Sequence, residues 1–304
     1  MSSGLVLIDK PSGWTSHDVV ARLRKLAGTR RVGHAGTLDP MATGLLLIGV
    51  NSATKLLTFL VGENKTYEAT IRLGAATITD DKESEFTTIA NPDDVRALDA
   101  AAIETVLATL RGPIEQVPSS VSAIKVDGER AYAKVRSGDE VKLKARPITI
   151  HRFELTSEPK LVVEGENSFV DFDAVIDCSS GTYIRALARD LGAALGVGGH
   201  LTALRRTKIG SYSLEQAQNL DGLTADGLEV LPIEQAATQQ FTVRLLSDQD
   251  VIDLRHGKRL RVVEETETEP TAAIAEDGTL VAMLTKSGNA AKSLVVFATG
   301  GSEE

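Results

Sequence analysis

The sequence predicts an α+β fold with a small β-rich C-terminal appendage, on three observations. Strand-like and helix-like segments mix without the regular β–α alternation of a doubly wound sheet. The chain has 304 residues, 42% of them apolar, enough to bury a sizeable core in one large domain or two smaller ones. After Ile233 the character changes to short β-prone segments at 241–262 and 271–298, split by the acidic stretch Glu264 to Glu269. The expected division is therefore 1–236 and 241–304, with no internal repeat at solenoid or propeller periods.

Local signals justify the elements in order. Gly4-Leu5-Val6-Leu7-Ile8 reads as a short buried strand, broken by the turn residues Asp9-Lys10-Pro11-Ser12-Gly13. Thr15 or Ser16 can cap a helix whose apolar positions Val19, Val20, Leu23 and Leu26 share one face, and Gly28 ends it. Gly33 to Pro40 is expected as a loop, because two glycines and a proline suit neither helix nor strand interior. Leu45 to Val50 predicts a buried strand and 51–60 a helix. Lys65 to Leu73 alternates, with Tyr67, Ala69, Ile71 and Leu73 on one side, the period of a strand. The polar, acidic residues 75–97 read as a surface excursion. Asp99 can cap a helix running to Arg111, stopped by Gly112-Pro113. Val121 to Val126 predicts a strand, Asp127-Gly128 a turn, and Ala131 and Val135 a short helix, followed by strands near 147–156 and 168–178. Ser179-Ser180-Gly181-Thr182 turns into a helix with Ile184, Leu187, Ala188 and Leu191 on one face.

Composition narrows the function classes. No apolar run approaches the roughly 18 residues that span a membrane, and the short run Leu5 to Ile8 is no secretory signal, so a cytoplasmic protein is expected. Cys178 is the only cysteine and falls in the alternation Phe172, Ala174, Ile176, Cys178, which suits a buried small hydrophobe better than a nucleophile. The histidines at 17, 34, 151, 200 and 256 show no metal-ligand spacing, and no metal is expected. Net charge is −9, yet its distribution is uneven. Residues 1–62 carry seven basic against three acidic side chains, 122–152 eight against four, and 185–210 five against Asp190 alone. Acid collects in 80–104 and 264–304, so a basic face with acidic edges is compatible with a nucleic-acid partner, as is plain solvated surface charge.

The densest chemical signal is RRVGHAGTLDPMATGLLLIG at 30–49, where Asp39 stands between a glycine-rich turn and Pro40. Glycines let backbone approach a ligand, and proline stiffens the chain beside the carboxylate; an ordinary Asp-Pro turn has the same appearance. Gly36-Thr37-Leu38-Asp39-Pro40, with Gly33-His34 before it and Ala42-Thr43-Gly44 after it, resembles the catalytic motif of the TruB-type pseudouridine synthases. Further segments match in the same order: Asp9 to Ser16, Lys65-Thr66-Tyr67-Glu68-Ala69, Leu73-Gly74, Pro118-Ser119 through Ser122-Ala123-Ile124-Lys125, Ala145-Arg146-Pro147-Ile148, Cys178 to Arg185, and Leu204-Arg205-Arg206-Thr207. The resemblance covers about residues 4–235.

The resemblance implies the pseudouridine synthase fold, a mixed, largely antiparallel central sheet with flanking helices, and a PUA-like C-terminal domain. It implies conversion of uridine 55 to pseudouridine in the TΨC loop of tRNA, by cleavage of the C1′–N1 bond, rotation of the base and rejoining through C5. That isomerisation oxidises nothing and imports no group, so no cofactor is expected. Catalytic roles pass to Asp39 as the carboxylate, Arg185 as the guanidinium that keeps it ionised, and Tyr67 as a ring that stacks on uracil with a hydroxyl placed to help move the C5 proton. Leu204 packs against the base, and His34 fills the space left by a flipped nucleotide. Lys10 either caps strand ends or touches phosphate. Without the resemblance, Arg185 reads as a solvated charge, Tyr67 and Leu204 as core, and His34 as an ordinary loop histidine.

Arg30, Arg31, Lys125, Arg130, Arg146, Arg205 and Arg206 are candidates for phosphates of the tRNA T-arm, contacts that set affinity rather than base choice. Two departures weaken the match: Thr77 to Ser84 lacks the glycine that usually closes that segment, and Glu264 to Glu269 is acidic for an RNA-contacting domain. A monomer with no obligate protein partner is expected. The rival readings are a non-catalytic tRNA-binding or folding module of the same fold, and a hydrolase pairing Asp39 with Asp9.

Overall fold

Leu5, Val6, Leu7 and Ile8 are apolar without alternation, and the strand they form is covered on both faces. The computed structural model describes residues 2–119, 125–126, 129–130, 143–267 and 269–297. Two compact units emerge, one of Met1–Pro40, Gly44–Gly62 and Gly210–Glu304, the other of Met41–Thr43 and Glu63–Ile209.

In the first unit β1 (Gly4–Lys10) runs two residues past the expected break, since Asp9 and Lys10 pair with Leu45 and Gly44, and a turn at Ser12-Gly13 then leads into α1 (Ser16–Ala27). Thr15 caps α1 in a reciprocal box with Asp18, and Gly28 ends it at φ 63°, as the sequence predicts. Its buried residues Val19, Val20, Leu23 and Ala27 join Val6, Ile8, Leu46 and Ile48 in one core cluster. The expected loop at 33–40 needs correction. Val32–Ala35 is a strand, β2, antiparallel to β3 (Thr43–Val50), with Gly33 opposite Gly49. A Cβ on Gly49 would lie 2.8 Å from the Ala53 carbonyl oxygen and 2.9 Å from Leu57 Cγ, so close packing accounts for a glycine inside the strand. β1 pairs antiparallel with β3, Leu7 opposite Leu47. The helix expected at 51–60 is split into a 3₁₀ turn, Asn51–Lys55, and a short helix, Leu57–Leu60.

In the second unit β4 (Lys65–Leu73) has the predicted span and alternation. The 75–97 excursion contains a hairpin of β5 (Ala75–Thr77) and β6 (Phe86–Ile89) and a helix, Pro92–Arg96. It is not purely surface, since Thr77, Asp80 and Asp81 are buried. Helix Ala100–Thr109, capped by Asp99, leads to β7 (Gly112–Gln116). Of the expected strand at 121–126, β8 (Lys125–Val126) pairs with β9 (Glu129–Arg130). The Asp127-Gly128 turn and the helix through Ala131 and Val135 lie outside the described residues. β10 (Arg146–Leu155), β11 (Lys160–Glu164), β12 (Asn167–Cys178), helix Ile184–Ala194 and β13 (Gly199–Ile209) complete the unit. Strand order is β13-β4-β12-β10-β7, every pair antiparallel. β13 has no clean period because its register slips at Leu201/Ala203 and Arg206/Lys208.

The remainder of the first unit begins with β14 (Tyr212–Ser213), then β15 (Gln218–Asn219), parallel to β1, and β16 (Leu231–Pro232), antiparallel to it. After helix Ile233–Gln240, β17 (Thr242–Leu246), β18 (Leu260–Arg261), β19 (Thr271–Ala275), β20 (Leu280–Ser287) and β21 (Ala290–Val296) form a sheet of order β17-β19-β20-β21-β18. Leu246, Leu254, Leu260, Val281 and Leu284 form its core, the β-rich, PUA-like part expected from the sequence.

One buried cation sets a pH test. Lys65, 8% exposed at the start of β4, donates to the Glu63 carbonyl, and burial, with Arg206 beside it, pushes its amine down to about 8. Below that pH the folded chain carries the full cost of a buried ammonium. The cost fades as pH rises from about 8 towards the unfolded value near 10.5. Lys65→Met is therefore expected to gain more stability relative to the parent at pH 7 than at pH 10.5, measured by urea melts at both pH values. An equal difference at both would refute it.

Candidate active site

In the first unit, the chain turns out of β2 at Gly36 (φ 79°) and reaches Asp39. Both residues flanking it are tied down. The buried Ser16 hydroxyl donates to the Leu38 carbonyl at 3.2 Å and accepts from the Leu38 N–H at 2.9 Å. On the other side, the Pro40 carbonyl accepts from the Gly13 N–H at 2.8 Å and from Lys10 Nζ at 3.3 Å. Lys10 also donates to the carbonyls of Pro11 (3.0 Å) and Trp14 (2.6 Å) and is 0% exposed. A fully desolvated ammonium held by three carbonyls is a brace, which is the strand-end capping alternative and not phosphate contact. Asp39 itself is half-buried. His34, on β2, is also half-buried and meets the ring of His17 edge-on, centroids 5.6 Å apart at 77°.

In the second unit, Tyr67 (7% exposed) and Leu204 (7%) lie on neighbouring strands, Leu204 opposite Ala69 and Arg206 opposite Tyr67. Arg185 is buried in the first turn of helix Ile184–Ala194. Its Nη1 donates to the Thr79 carbonyl at 2.6 Å and lies 3.5 Å from Asp81 Oδ2. One turn on, Arg189 meets Asp80 at 3.4 Å and the Val117 carbonyl at 2.7 Å. Burial pushes the Asp80 carboxyl up, against the opposing pull of Arg189. The Thr77–Ser84 turn is self-braced: Thr79 Oγ1 donates to Asp81 Oδ1 at 2.5 Å, and Thr77 Oγ1 to the Asp81 carbonyl at 2.8 Å. Asp80 and Asp81 are the residues that sequence reasoning missed. Their signal was two adjacent acids in a threonine-rich turn, which reads as solvated charge until buried Arg185 and half-buried Arg189 face them.

The remaining candidates divide by exposure. Arg30, Arg31 and Arg146 are exposed, and Arg205 is half-buried with its Nη1 3.2 Å from Thr43 Oγ1. Arg206 is 1% exposed, which removes it from the surface phosphate contacts. The side chains of Lys125 and Arg130 lie outside the described residues. Cys178 is buried, its thiol pushed up to about 11 by burial, as suits an inert core residue. No group of three or more potential metal ligands occurs among the described residues.

Comparison with known proteins gives this architecture its class, the pseudouridine synthase fold. The chain aligns over 97% of its length, and 85% of the other chain, with a structure described as a Cbf5-Nop10-Gar1 complex, at TM-score 0.68 and 25% identity. The model of the TruB family pseudouridylate synthase N-terminal domain matches residues 24–184. Models of the tRNA pseudouridylate synthase B C-terminal domain and of tRNA pseudouridine synthase II, C terminal, match 185–236 and 241–298. Proteins named tRNA pseudouridine synthase B from Paenarthrobacter aurescens and Thermobifida fusca are 57% and 51% identical to it. The alignments cover 99% and 98% of this chain and 96% and 99% of those proteins. The chain belongs to the TruB family.

The buried pair of Asp81 and Arg185 yields a stability test. Asp81→Leu removes a buried carboxylate that faces the Arg185 guanidinium and is expected to cost about 3 kcal/mol. Adding Arg185→Met should recover much of that loss. Denaturant unfolding of the two single variants and the double variant checks the coupling; additive losses would show that the pair does not interact.

Proposed function

We propose that this chain isomerises uridine to pseudouridine in the T-arm of tRNA, at position 55, with Asp39 as the catalytic carboxylate. Residues 1–236 would carry the reaction and 241–304 would form a separate small domain, in a cytoplasmic monomer with no obligate protein partner. Membership of the TruB family supports the reaction class and the tRNA substrate. The observation that carries the role of Asp39 is its mounting: a half-buried carboxylate between Leu38 and Pro40, each held by hydrogen bonds from the end of β1, the turn after it or the start of α1. A group so held presents its charge with little reorganisation when the glycosidic bond breaks.

In the reaction the C1′–N1 bond breaks, the uracil turns while detached, and a C1′–C5 bond forms. The C5 proton leaves and N1 regains a proton, so the atoms balance with no external group. We assign Asp39 to the sugar or base at bond cleavage, Arg185 to holding that carboxylate ionised, and Tyr67 to stacking on the uracil and moving the C5 proton. Leu204 packs on the base, and His34 takes the place of the flipped nucleotide in its stack. Arg146 and Arg205 contact phosphates.

Purified protein incubated with unmodified tRNA, without added metal or nucleotide, is expected to form pseudouridine that maps to one site in the T-arm. Asp39→Asn should abolish turnover and keep tRNA affinity within about threefold, since phosphate contacts dominate binding; an active Asp39→Asn enzyme removes Asp39 from the mechanism. Ser16→Ala frees both hydrogen bonds to Leu38 and is expected to lower kcat about ten- to a hundredfold with KM little changed. A rise in KM at constant kcat would instead assign Ser16 to binding.

A further inference from the structure

A notch on α1 is not used by the chemistry assigned above. Its lining is Gly13, Trp14, Asp18, Ala21, Arg22 and Lys25, and its volume is about 550 Å³. The helix period explains the lining: Asp18, Ala21, Arg22 and Lys25 share the outer face, while Val19, Val20 and Leu23 face the core. Trp14, just before the cap, packs one side on the core cluster and leaves the rest of its indole at the notch. Arg22 is already ordered, its Cζ 5.8 Å from the indole centroid and its Nη2 3.4 Å from the Leu223 carbonyl. The one acid, Asp18, has an oxygen engaged by its cap, accepting from the Thr15 N–H at 2.9 Å and hydroxyl at 2.6 Å. Those bonds hold its carboxyl below the usual range, so it stays ionised beside two cations.

We propose that this notch is an RNA subsite, separate from the reacting position, that takes one nucleotide with its base on Trp14 and its phosphate between Arg22 and Lys25. An aromatic face beside two cations is the arrangement that binds single-stranded nucleotides. The chain as a whole is acidic, with net charge −9, so a concave cationic site is not what its average surface supplies. Position argues for RNA over an acidic peptide. Gly13, which lines the notch, is hydrogen-bonded through its N–H to the Pro40 carbonyl, the residue after Asp39. A strand that offers a uridine to Asp39 would continue past this point. The inference rests on the RNA-modifying reading above.

Trp14 is the only tryptophan, so its emission reports on this notch alone. Titrating the full chain with an unmodified T-arm hairpin RNA is expected to quench that emission with the midpoint found by filter binding. The double variant Arg22→Gln/Lys25→Gln alters one half-buried and one exposed side chain; it should weaken binding about tenfold and lower the salt slope by about 0.7, the share of one phosphate. Trp14→Phe should retain most of the affinity, and Trp14→Ala should lose about tenfold, with circular dichroism melts verifying the fold. Hairpin binding with unchanged emission, or a double variant with parental affinity and salt slope, overturns the proposal. So does quenching by polyglutamate with RNA affinity insensitive to the double substitution, which marks a peptide site. Pseudouridine formation by the parent, measured on the same samples, separates the two readings: activity with an indifferent notch sinks only the subsite, whereas no activity sinks the functional reading.

Discussion

The geometry of Asp39 depends on hydrogen bonds made to its neighbours' peptides. A carboxylate on a loop is ordinarily free to wander with the loop, and a catalytic group that wanders loses most of its advantage. Here Ser16 grips Leu38 through both its N–H and its carbonyl, while Gly13 and Lys10 grip Pro40. All three braces come from the end of β1, the connection after it and the first turn of α1. The helix that carries Ser16 is itself fixed by its capping box and by Val19, Val20 and Leu23 in the core. Loop precision is thus inherited from helix packing.

Buried charge follows a similar logic in the second unit. Arg185 and Arg189 sit one turn apart and are met by Asp81 and Asp80 from a single turn that braces itself through threonine hydroxyls. Arg185 would be costly to bury alone, Arg189 keeps part of its side chain in solvent, and the acids are tolerable in the interior because the guanidiniums oppose them. Lys65 lacks so good an arrangement, with a carbonyl acceptor and the like charge of Arg206 nearby, and its amine is pushed down accordingly. The polar residues of this unit are therefore interdependent, and a change in the 77–84 turn is felt at the start of helix Ile184–Ala194.

The C-terminal sheet illustrates how a weak sequence signal becomes definite structure. Its strands are short, and the parallel neighbours β17 and β19 are connected in sequence through a helix, Asp248–Arg255, and β18. Small residues, Ala273, Ala282 and Ala291, pack in one core cluster with Leu246, Leu254 and Leu284. Alanine carries little strand preference, so the sheet order was not legible beforehand, although the β-rich character and place of the segment were.

What the sequence determined by itself was whatever neighbouring residues decide among themselves. The span of α1, with Thr15 and Gly28 at its ends, and the alternation of β4 follow from contacts within a few positions, and the Gly36–Pro40 motif carries its resemblance in contiguous residues. The tertiary structure decided the rest. Gly33 and Gly49 became strand residues because they face each other beneath Leu57. Lys10 became a brace because three carbonyls converge on its ammonium, and Arg206 left the surface because β13 was drawn into the sheet. Asp81 gained its meaning from an arginine far along the chain. Pairings of this kind depend on where distant segments are brought together, and that is set by the summed burial of the whole core, which no local stretch encodes.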